Sequence, residues 1–303
     1  MILVFGTICI DRIRRVPHLP ANGGYVEITE ETDLLGGEAA NTANALKIWG
    51  AEVSLYGNAL GSGPDGDLLR RLLAETRLEF EAHRTRHAEP PAPVCDIYVT
   101  PDGERTMFGK NFSIMEADLS VVPISNAHAN WFTAEPNMAT LSREAARRAH
   151  QAGMKLYLMD FVGPNEPIPP GSFWQCSTDW TGTRNNTQKN VVWVQDWVAR
   201  TGCFAILSDG PNGFVAGSPD HPVRAYPPFP APLVVDTTGA GDMFRAGMLF
   251  GLNQDWSIPD CLRFASAAGC LKCRALGATT DVPTVEEIKS HIERHPFISK
   301  QYR

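Results

Sequence analysis

Short apolar runs alternate with stretches of helical periodicity along most of this chain. The apolar runs predict buried strands at Ile2–Cys9, Glu52–Tyr56, Lys155–Met159 and Phe204–Leu207. The periodic stretches predict helices at Ala39–Trp49, Gly66–Glu75, Leu141–Ala152, Asn190–Ala199, Asp242–Leu252 and Pro259–Ala275. Thr284 and Glu287 have the spacing of a capping box, which predicts the start of a further helix. Strands that alternate with helices in this way predict an α/β fold with a mainly parallel sheet.

Two segments depart from this alternation and have the two-residue period of strands. They are Tyr25–Asp33 and Val94–Lys110, and the second contains the turn sequence Pro101-Asp102-Gly103. We predict that they form a small β-layer beside the main sheet. Further along, the proline-rich connector Pro227–Pro232 leads into Leu233–Val235, which we predict to be a short strand.

The composition excludes several classes of protein. A chain of 303 residues with 43% hydrophobic residues is too large for a disulfide-stapled module and too apolar for wholesale disorder. The formal net charge of -7 argues against a general electrostatic attraction to nucleic acid or to an anionic membrane. Seven scattered cysteines, an opening stretch without a signal-peptide pattern and the lack of any apolar run near ~20 residues predict a cytoplasmic protein with reduced thiols.

A Gly-rich segment carries most of the chemical information. It runs from Val234 to Gly247 and reads VVDTTGAGDMFRAG, which predicts a strand, a tight turn and an amphipathic helix. Backbone amides and the helix dipole at such a turn favour a phosphate group. The segment is not a P-loop, because no Gly-Lys-Ser/Thr follows the glycines. Asp242 at the helix start either only stabilises the dipole or acts as a general base toward a hydroxyl nucleophile.

The string from Asp236 to Gly247 resembles the C-terminal signature of the ribokinase-like (PfkB-type) carbohydrate kinases. Similar motifs are spread almost from end to end: Asp11, Gly36-Gly37-Glu38-Ala39-Ala40-Asn41, Ser208-Asp209-Gly210-Pro211-Asn212-Gly213, and Gly277-Ala278 followed by Val282-Pro283-Thr284. The resemblance implies one ribokinase-like three-layer α/β/α domain over residues 1–303, with a small β-sheet lid from about residues 12–35 and 92–112. It also implies phosphorylation of a hydroxyl on a sugar-like substrate, with ATP and Mg²⁺.

The resemblance also assigns roles to individual residues. Asp242 would be the general base, and the amides of Gly239, Ala240 and Gly241 would face the transferred phosphoryl group. The implied substrate-binding residues are Asp11, Gly36, Gly37, Asn41 and Glu135, and the implied nucleotide-binding residues are Asn185, Gln188, Ser208, Gly210, Gly213 and Thr237. Asp236 and Thr238 resemble positions that hold a monovalent cation such as K⁺ in some members.

Several of these residues also have purely local explanations. Asp11 can simply end a strand, Gly36 and Gly37 can form a tight turn, and Asn41 can cap a helix. For each residue taken alone, the local and the functional interpretation stay open.

The sequence departs from the family pattern at three positions. Gln188 stands where the family's Asn-x-x-Glu motif has a carboxylate, and a neutral amide orders metal-bound water less strongly. Glu38 follows the glycine pair, where a lysine is often found. Gly63 occupies the usual acidic position after the second strand, with Asp65 two residues further on.

Other functions compete with the kinase hypothesis. Gly61-Ser62-Gly63-Pro64-Asp65-Gly66 fits a dinucleotide-binding pattern, although Pro64 stiffens the turn and the acids Glu79 and Glu81 follow too closely. Cys270 and Cys273 form a lone Cys-x-x-Cys, which is more typical of structural thiols than of a zinc site. A non-catalytic sensor on the kinase fold is a further alternative, motivated by Gln188.

The substrate is left open by the sequence. A pentose, a hexose, a ketodeoxy acid and a nucleoside all fit the resemblance, and we expect the choice to depend on residues of the predicted lid: Tyr98, Arg105, Met107, Phe108 and Asn111. Exposed strand edges in that lid motivate the hypothesis of a homodimer.

Overall fold

The larger of two sheets lies between two layers of helices. The computed structural model describes residues 1–78, 80, 90–124, 129–163, 166 and 168–303. The sheet contains β1 (Ile2–Gly6), β4 (Val53–Gly57), β7 (Trp131–Ala134), β8 (Lys155–Met159), β9 (Phe173–Ser177), β10 (Phe204–Ser208), β11 (Phe214–Ser218) and β12 (His221–Tyr226). Its spatial order is β12-β11-β10-β9-β8-β7-β1-β4. The strands from β10 to β4 are parallel, and β11 and β12 are antiparallel, so the predicted mainly parallel sheet is confirmed.

The six helices predicted with bounds begin and end close to the predicted positions, whereas two short helices, Thr178–Thr181 and Pro296–Lys300, were not predicted. They are α1 (Glu38–Ile48), α2 (Gly63–Glu75), α3 (Thr140–Gln151), α4 (Thr178–Thr181), α5 (Thr187–Thr201), α6 (Ala240–Leu252), α7 (Ile258–Lys272), α8 (Val285–Arg294) and α9 (Pro296–Lys300). The capping box predicted at Thr284 and Glu287 is confirmed at the start of α8. No helix in the described ranges is long and apolar enough to cross a membrane.

Alternate residues of β1 explain how the three layers hold together. Ile2 and Val4 join a core cluster with residues of α1, α6 and α7, whereas Leu3 and Phe5 join a second cluster with residues of α3 and α5. A strand that is apolar on both faces is what a parallel sheet covered on both sides requires. The three-layer α/β/α architecture predicted from the resemblance is therefore confirmed.

A smaller sheet of four strands accompanies the main one. It contains β2 (Cys9–Arg15), β3 (Glu30–Gly36), β5 (Val94–Val99) and β6 (Arg105–Lys110), in the order β3-β2-β5-β6. The β5–β6 hairpin turns at the predicted Pro101-Asp102-Gly103. The prediction of a single strand from Ile2 to Cys9 is wrong, because the chain leaves the main sheet after Gly6 and enters the smaller sheet at Cys9. The predicted strand at Tyr25–Asp33 begins only at Glu30 and extends to Gly36.

Two predictions for the Gly-rich segment are also wrong. Leu233–Val235 is not a strand, and Leu233 and Val234 are exposed. The following helix α6 is not amphipathic, because it is buried continuously from Asp242 to Leu252. It is covered on one side by α7 and on another by α1, so apolar residues are needed all round.

Candidate active site

The candidate residues gather at the carboxyl ends of the parallel strands. The chain order reverses between β1 and β7, since β4 lies on one side of β1 while β7 to β10 continue on the other. Ligands of open α/β sheets bind at such a switch point. Glu135 lies directly after β7 at this switch point and is fully buried. Its carboxylate accepts hydrogen bonds from the backbone N–H of Thr7, which follows β1, and from the backbone N–H of Asn137.

Asp242 lies in the first turn of α6, and its side chain is 8% exposed. Its Oδ2 accepts a hydrogen bond from Asn41 Nδ2 at 2.8 Å, and its Oδ1 lies 3.5 Å from the guanidinium of Arg245. Burial raises the pKa of Asp242 to about 6, while Arg245 and Asn41 oppose that rise. A carboxylate with a pKa just below neutrality is ionised at neutral pH and still basic enough to accept a hydroxyl proton.

The Gly-rich turn is held close to neighbouring backbone. Gly239 has a φ of 78°, and a Cβ placed there would lie 2.4 Å from that of Ala278. Gln175 donates from Nε2 to the carbonyl oxygen of Gly241 at 2.9 Å. The amide of Ala240, one of the three predicted anion donors, donates to the carbonyl of Thr237 at 3.2 Å. This turn is therefore built by its own hydrogen bonds and by packing on the segment around Ala278.

We use the term substrate side for Asp11, Gly36, Gly37, Asn41 and Glu135. Gly36 leaves room for Asp11, since a Cβ at Gly36 would lie 2.1 Å from that carboxylate. Gly37 has a φ of 97°, and a Cβ there would lie 2.2 Å from the carbonyl oxygen of Thr7. Burial, together with the negative charge of Asp242, raises the pKa of Asp11 to about 7.

Sequence reasoning assigned no role to three further buried groups on this side. Glu38 Oε1 accepts from Asn137 at 3.2 Å, and its Oε2 is buried without a partner among the described residues. Asp160 follows β8 with a positive φ of 59°, and burial raises its pKa to about 6. Arg245, fully buried, binds Thr42 Oγ1 at 2.8 Å and the carbonyl of Glu38. Arg245 lies inside the Gly-rich motif. The apolar residues around it in the sequence were the signal that could have predicted its burial.

We use the term nucleotide side for Asn185, Gln188, Ser208, Gly210, Gly213 and Thr237. Asn185 and Gly210 are exposed at the carboxyl edge of the sheet, and both lie beside the buried carboxylate of Asp209. Asp209 accepts from Thr178 Oγ1 at 2.8 Å and from the backbone N–H of Asn185 at 3.1 Å. It therefore joins the turn before α5 to the turn after β10, a role that the sequence analysis missed although Asp209 lies inside the quoted motif.

The remaining nucleotide-side residues are arranged around those two turns. Ser208 ends β10 and donates to the carbonyl of Cys176 at 3.3 Å. Gly213 has a φ of 87°, and a Cβ there would meet the carbonyl oxygen of Tyr226 at 2.1 Å. Gln188, the predicted departure from the family motif, is exposed in the first turn of α5.

The smaller sheet touches the Gly-rich turn through one side chain and one loop. Arg105 of β6 donates to Thr237 Oγ1 at 2.7 Å, and Thr237 Oγ1 donates in turn to the carbonyl of Gly103 at 3.2 Å. Met107 and Phe108, by contrast, are more than half exposed. Arg105 was expected to contact substrate, and in this structure it links the β5–β6 hairpin to the predicted phosphate site.

Asp236 and Thr238 lie beneath the same turn. Asp236 is fully buried; its Oδ1 accepts from the amide and the hydroxyl of Thr238 at 2.9 and 2.7 Å, and its Oδ2 accepts from the amide of Gly277 at 2.7 Å. The fully buried Lys272 lies nearby, and burial lowers its pKa while Asp236 opposes that change.

The structure bears on one of the competing interpretations, the zinc site. Across the described part of the chain, no group of three or more His, Cys, Asp or Glu side chains is placed to hold a metal ion. Cys270 and Cys273 are free thiols at the end of α7, and burial raises the pKa of Cys270 to about 12. Glu79 and Glu81, invoked for dinucleotide binding, lie outside the described residues.

Comparison with known proteins finds relatives along almost the whole chain. A Dictyostelium discoideum protein named as an uncharacterized sugar kinase is 28% identical, over 96% of this chain and 97% of that relative. An ATP-dependent ribose-1-phosphate kinase of Halopiger xanaduensis is 25% identical, with coverage of 96% and 97%. The Arabidopsis thaliana ribokinase, solved with ribose and ATP, superposes with a TM-score of 0.74 at 20% identity, over 96% of this chain and 97% of that one.

The family model for pfkB family carbohydrate kinases matches residues 1–165 and 178–285. That match includes both the first turn of α1 and the start of α6, which the fold brings together at the Asn41–Asp242 hydrogen bond. The chain therefore belongs to the pfkB family of carbohydrate kinases.

Proposed function

We propose that this protein transfers the γ-phosphoryl group of ATP to a hydroxyl of an uncharged sugar or sugar-like alcohol, with Asp242 as the general base. The observation that carries the proposal is the buried Asp242 carboxylate, held by Asn41 at the first turn of α6 beside the Gly-rich turn. This places a proton acceptor next to a turn that favours phosphate.

In this proposal, a few residues of the chain carry out the transfer. Asp242 accepts the hydroxyl proton as the substrate oxygen attacks the γ-phosphorus, and Asn41 holds the carboxylate in place. The amides of Gly239 and Gly241 face the charge that develops on the transferred group, and Arg105, bound to Thr237, adds a cation at the edge of that turn. Positioning and electrostatics dominate phosphoryl transfer, so these groups would act together with the metal ion that enters with the nucleotide.

We propose that Mg²⁺ enters mainly with the nucleotide. Mg²⁺ keeps several waters and binds through substrate phosphates plus one or two protein oxygens. Asn185 and Gln188 are exposed amides on the nucleotide side, which suits contact through metal-bound water. When bound, Mg²⁺ would neutralise charge on the β- and γ-phosphates.

The charge of the substrate side supports an uncharged acceptor. Asp11, Glu38, Glu135 and Asp160 all lie in this region, and the raised pKa of Asp11 partly reflects the negative charge of Asp242. A sugar acid or sugar phosphate would bring further negative charge to this region, which is unfavourable at low dielectric. We therefore place neutral sugars before ketodeoxy acids, and nucleosides as the alternative class.

The test is ADP release from ATP and Mg²⁺ across pentoses, hexoses, sugar acids, sugar phosphates and nucleosides. We expect release with at least one neutral acceptor, and a fall of about 10³-fold in kcat for Asp242→Asn with little change in KM. Asp196→Asn, an exposed carboxylate on α5, is the matched control and should keep full activity. ATP binding without release on any acceptor would instead support a non-catalytic sensor, and full activity of Asp242→Asn would contradict the assignment of the base.

We also propose that two copies associate through the smaller sheet. Its edge strand β6 presents Met107 and Phe108, which are 54% and 58% exposed. Exposed apolar edges favour pairing with a second chain. Light scattering should give twice the chain mass for the wild type and for Val192→Arg, an exposed apolar position on α5, and the single-chain mass for Phe108→Arg. A monomeric wild type would remove this proposal.

A further inference from the structure

A lysine ammonium is buried beneath the Gly-rich turn. Lys272 ends α7, its side chain is fully buried, and its Nζ donates to the carbonyl oxygen of Ala275 at 3.2 Å. Lysine is almost never fully buried unless it is paired, because its charge loses the solvation of water. Burial lowers the pKa of Lys272, and the fully buried Asp236 is the charged neighbour that most opposes this change, although the two side chains form no direct ion pair.

A short turn connects this ammonium to the predicted phosphate site. The turn runs over residues 275–278, and Lys272 binds its first carbonyl. Its third residue, Gly277, donates its amide to Asp236, and its fourth, Ala278, packs directly against Gly239. The conformation of the Gly-rich turn therefore depends on the same segment that Lys272 holds.

The residues present do not fit a monovalent cation at Asp236 and Thr238. Alkali and alkaline-earth cations are held by several oxygen atoms free to face the ion. Here both oxygens of Asp236 accept hydrogen bonds from the amides of Thr238 and Gly277, and Oδ1 accepts from the Thr238 hydroxyl too. The neighbouring carbonyl of Ala275 is occupied by Lys272.

We propose that Lys272 is a built-in cation of the Gly-rich turn and takes the place of the monovalent ion expected at Asp236 and Thr238. Its ammonium balances the buried Asp236 carboxylate and fixes the turn at 275–278 against Gly239. Because the charge is covalently attached, the turn is formed at any K⁺ concentration. The effect on catalysis rests on the proposed kinase activity, whereas the effect on the fold does not.

The experiment compares KCl with choline chloride at constant ionic strength, using the thermal unfolding midpoint and the rate of ADP release. For the wild type, the unfolding midpoint and the rate of ADP release should each be the same in KCl and in choline chloride. Lys272→Met should unfold at a lower temperature and release ADP about tenfold more slowly or worse, since it leaves Asp236 buried without its cation. Lys289→Met, an exposed position on α8, removes the same charge and should behave as the wild type.

Two results would overturn the proposal. One is a wild-type protein whose unfolding midpoint or ADP-release rate rises when KCl replaces choline chloride, and the other is a Lys272→Met protein that matches Lys289→Met. If Lys272→Met does not fold, the salt comparison on the wild type still decides, and Lys272→Arg, which keeps the charge, should retain indifference to K⁺. If no acceptor gives ADP release, the kinase proposal fails, but the unfolding midpoints still test the built-in cation.

Discussion

On the substrate side the chemical groups are buried and bound across distant elements, whereas on the nucleotide side Asn185, Gln188 and Gly210 are exposed, in or next to turns beside one buried carboxylate. Asn41 on α1 reaches Asp242 on α6, and Glu135 binds backbone from two strand ends. By contrast, Asn185 and Gly210 reach solvent, and their turns are joined by the buried Asp209 and by a hydrogen bond from Asn212 Nδ2 to Asn185 Oδ1 at 2.6 Å. A group that must keep a shifted pKa needs burial, but a surface that admits and releases a nucleotide needs access. Substitutions on the two sides should therefore affect different kinetic constants.

Among the tests of this comparison, the largest effect is expected from placing a second carboxylate beside the proposed base. Asn41→Asp puts two acids within hydrogen-bond distance in a buried site, where they cannot both ionise, so the pKa of Asp242 should rise further. We expect kcat at neutral pH to fall about 100-fold and to recover partly at alkaline pH. The measurement is the pH profile of kcat for this variant and the wild type. Asn44→Asp, on the next turn of the same helix, is the control, and equal pH profiles for both variants would count against the role of Asn41.

The pH dependence of kcat in the wild type tests, without a substitution, whether Asp242 is desolvated. Burial raises the pKa of Asp242 to about 6, and a base acts only when deprotonated. The value of kcat should therefore be level above about pH 6 and fall about tenfold per pH unit below it. An acid limb at the ordinary pKa of an aspartate, near pH ~4, would show that Asp242 is not desolvated in the working enzyme.

Asp209→Asn tests the nucleotide side. An amide can accept on one atom only and turns an N–H toward the donors that Asp209 now binds, so both nucleotide-side turns lose their shared anchor. We expect the KM for ATP to rise about tenfold, the value of one hydrogen bond to a charged group, with the KM for the sugar unchanged. Isothermal binding of ATP gives the same comparison directly. A matching rise in the sugar KM would show that the two sides are not independent.

The smallest effect is expected at Gln188. Glu at this exposed position in the first turn of α5 would order metal-bound water more strongly and suit the helix dipole. Gln188→Glu should raise kcat/KM a few-fold at limiting Mg²⁺ and leave it unchanged at saturating Mg²⁺. Gln195→Glu, exposed two turns further along α5, is the matched control. No difference between the two variants would remove Gln188 from metal handling.

The architecture could be predicted because it depends on local signals. Apolar runs marked β8 and β10, and the capping box marked the start of α8. The predictions of secondary structure failed where contacts with neighbouring elements determine the structure. Nothing in the run Ile2–Cys9 indicates that it serves two sheets, and α6 was predicted to be amphipathic because the sequence does not reveal that α1 and α7 both cover it.

The site was predictable only as far as its motifs extend. The segment from Asp236 to Gly247 and the Gly36-Gly37 pair named residues that the fold does bring together. Asp160, Asp209 and Lys272 were not assigned roles, because their positions depend on a positive φ, on hydrogen bonds between separate turns and on burial of a charge. These are properties of the assembled chain, and no single stretch of sequence contains them.

The hydrogen bond between Asn41 and Asp242 joins residues 201 positions apart. A contact of such high sequence separation forms late in folding, because a long loop must close before the contact contributes. During synthesis α1 can assemble on β1 and β4 well before α6 leaves the ribosome, but Asn41 then has no partner, because Asp242 lies on α6. We therefore expect the site to form in one of the last folding steps, so that the appearance of activity would report the completion of the fold.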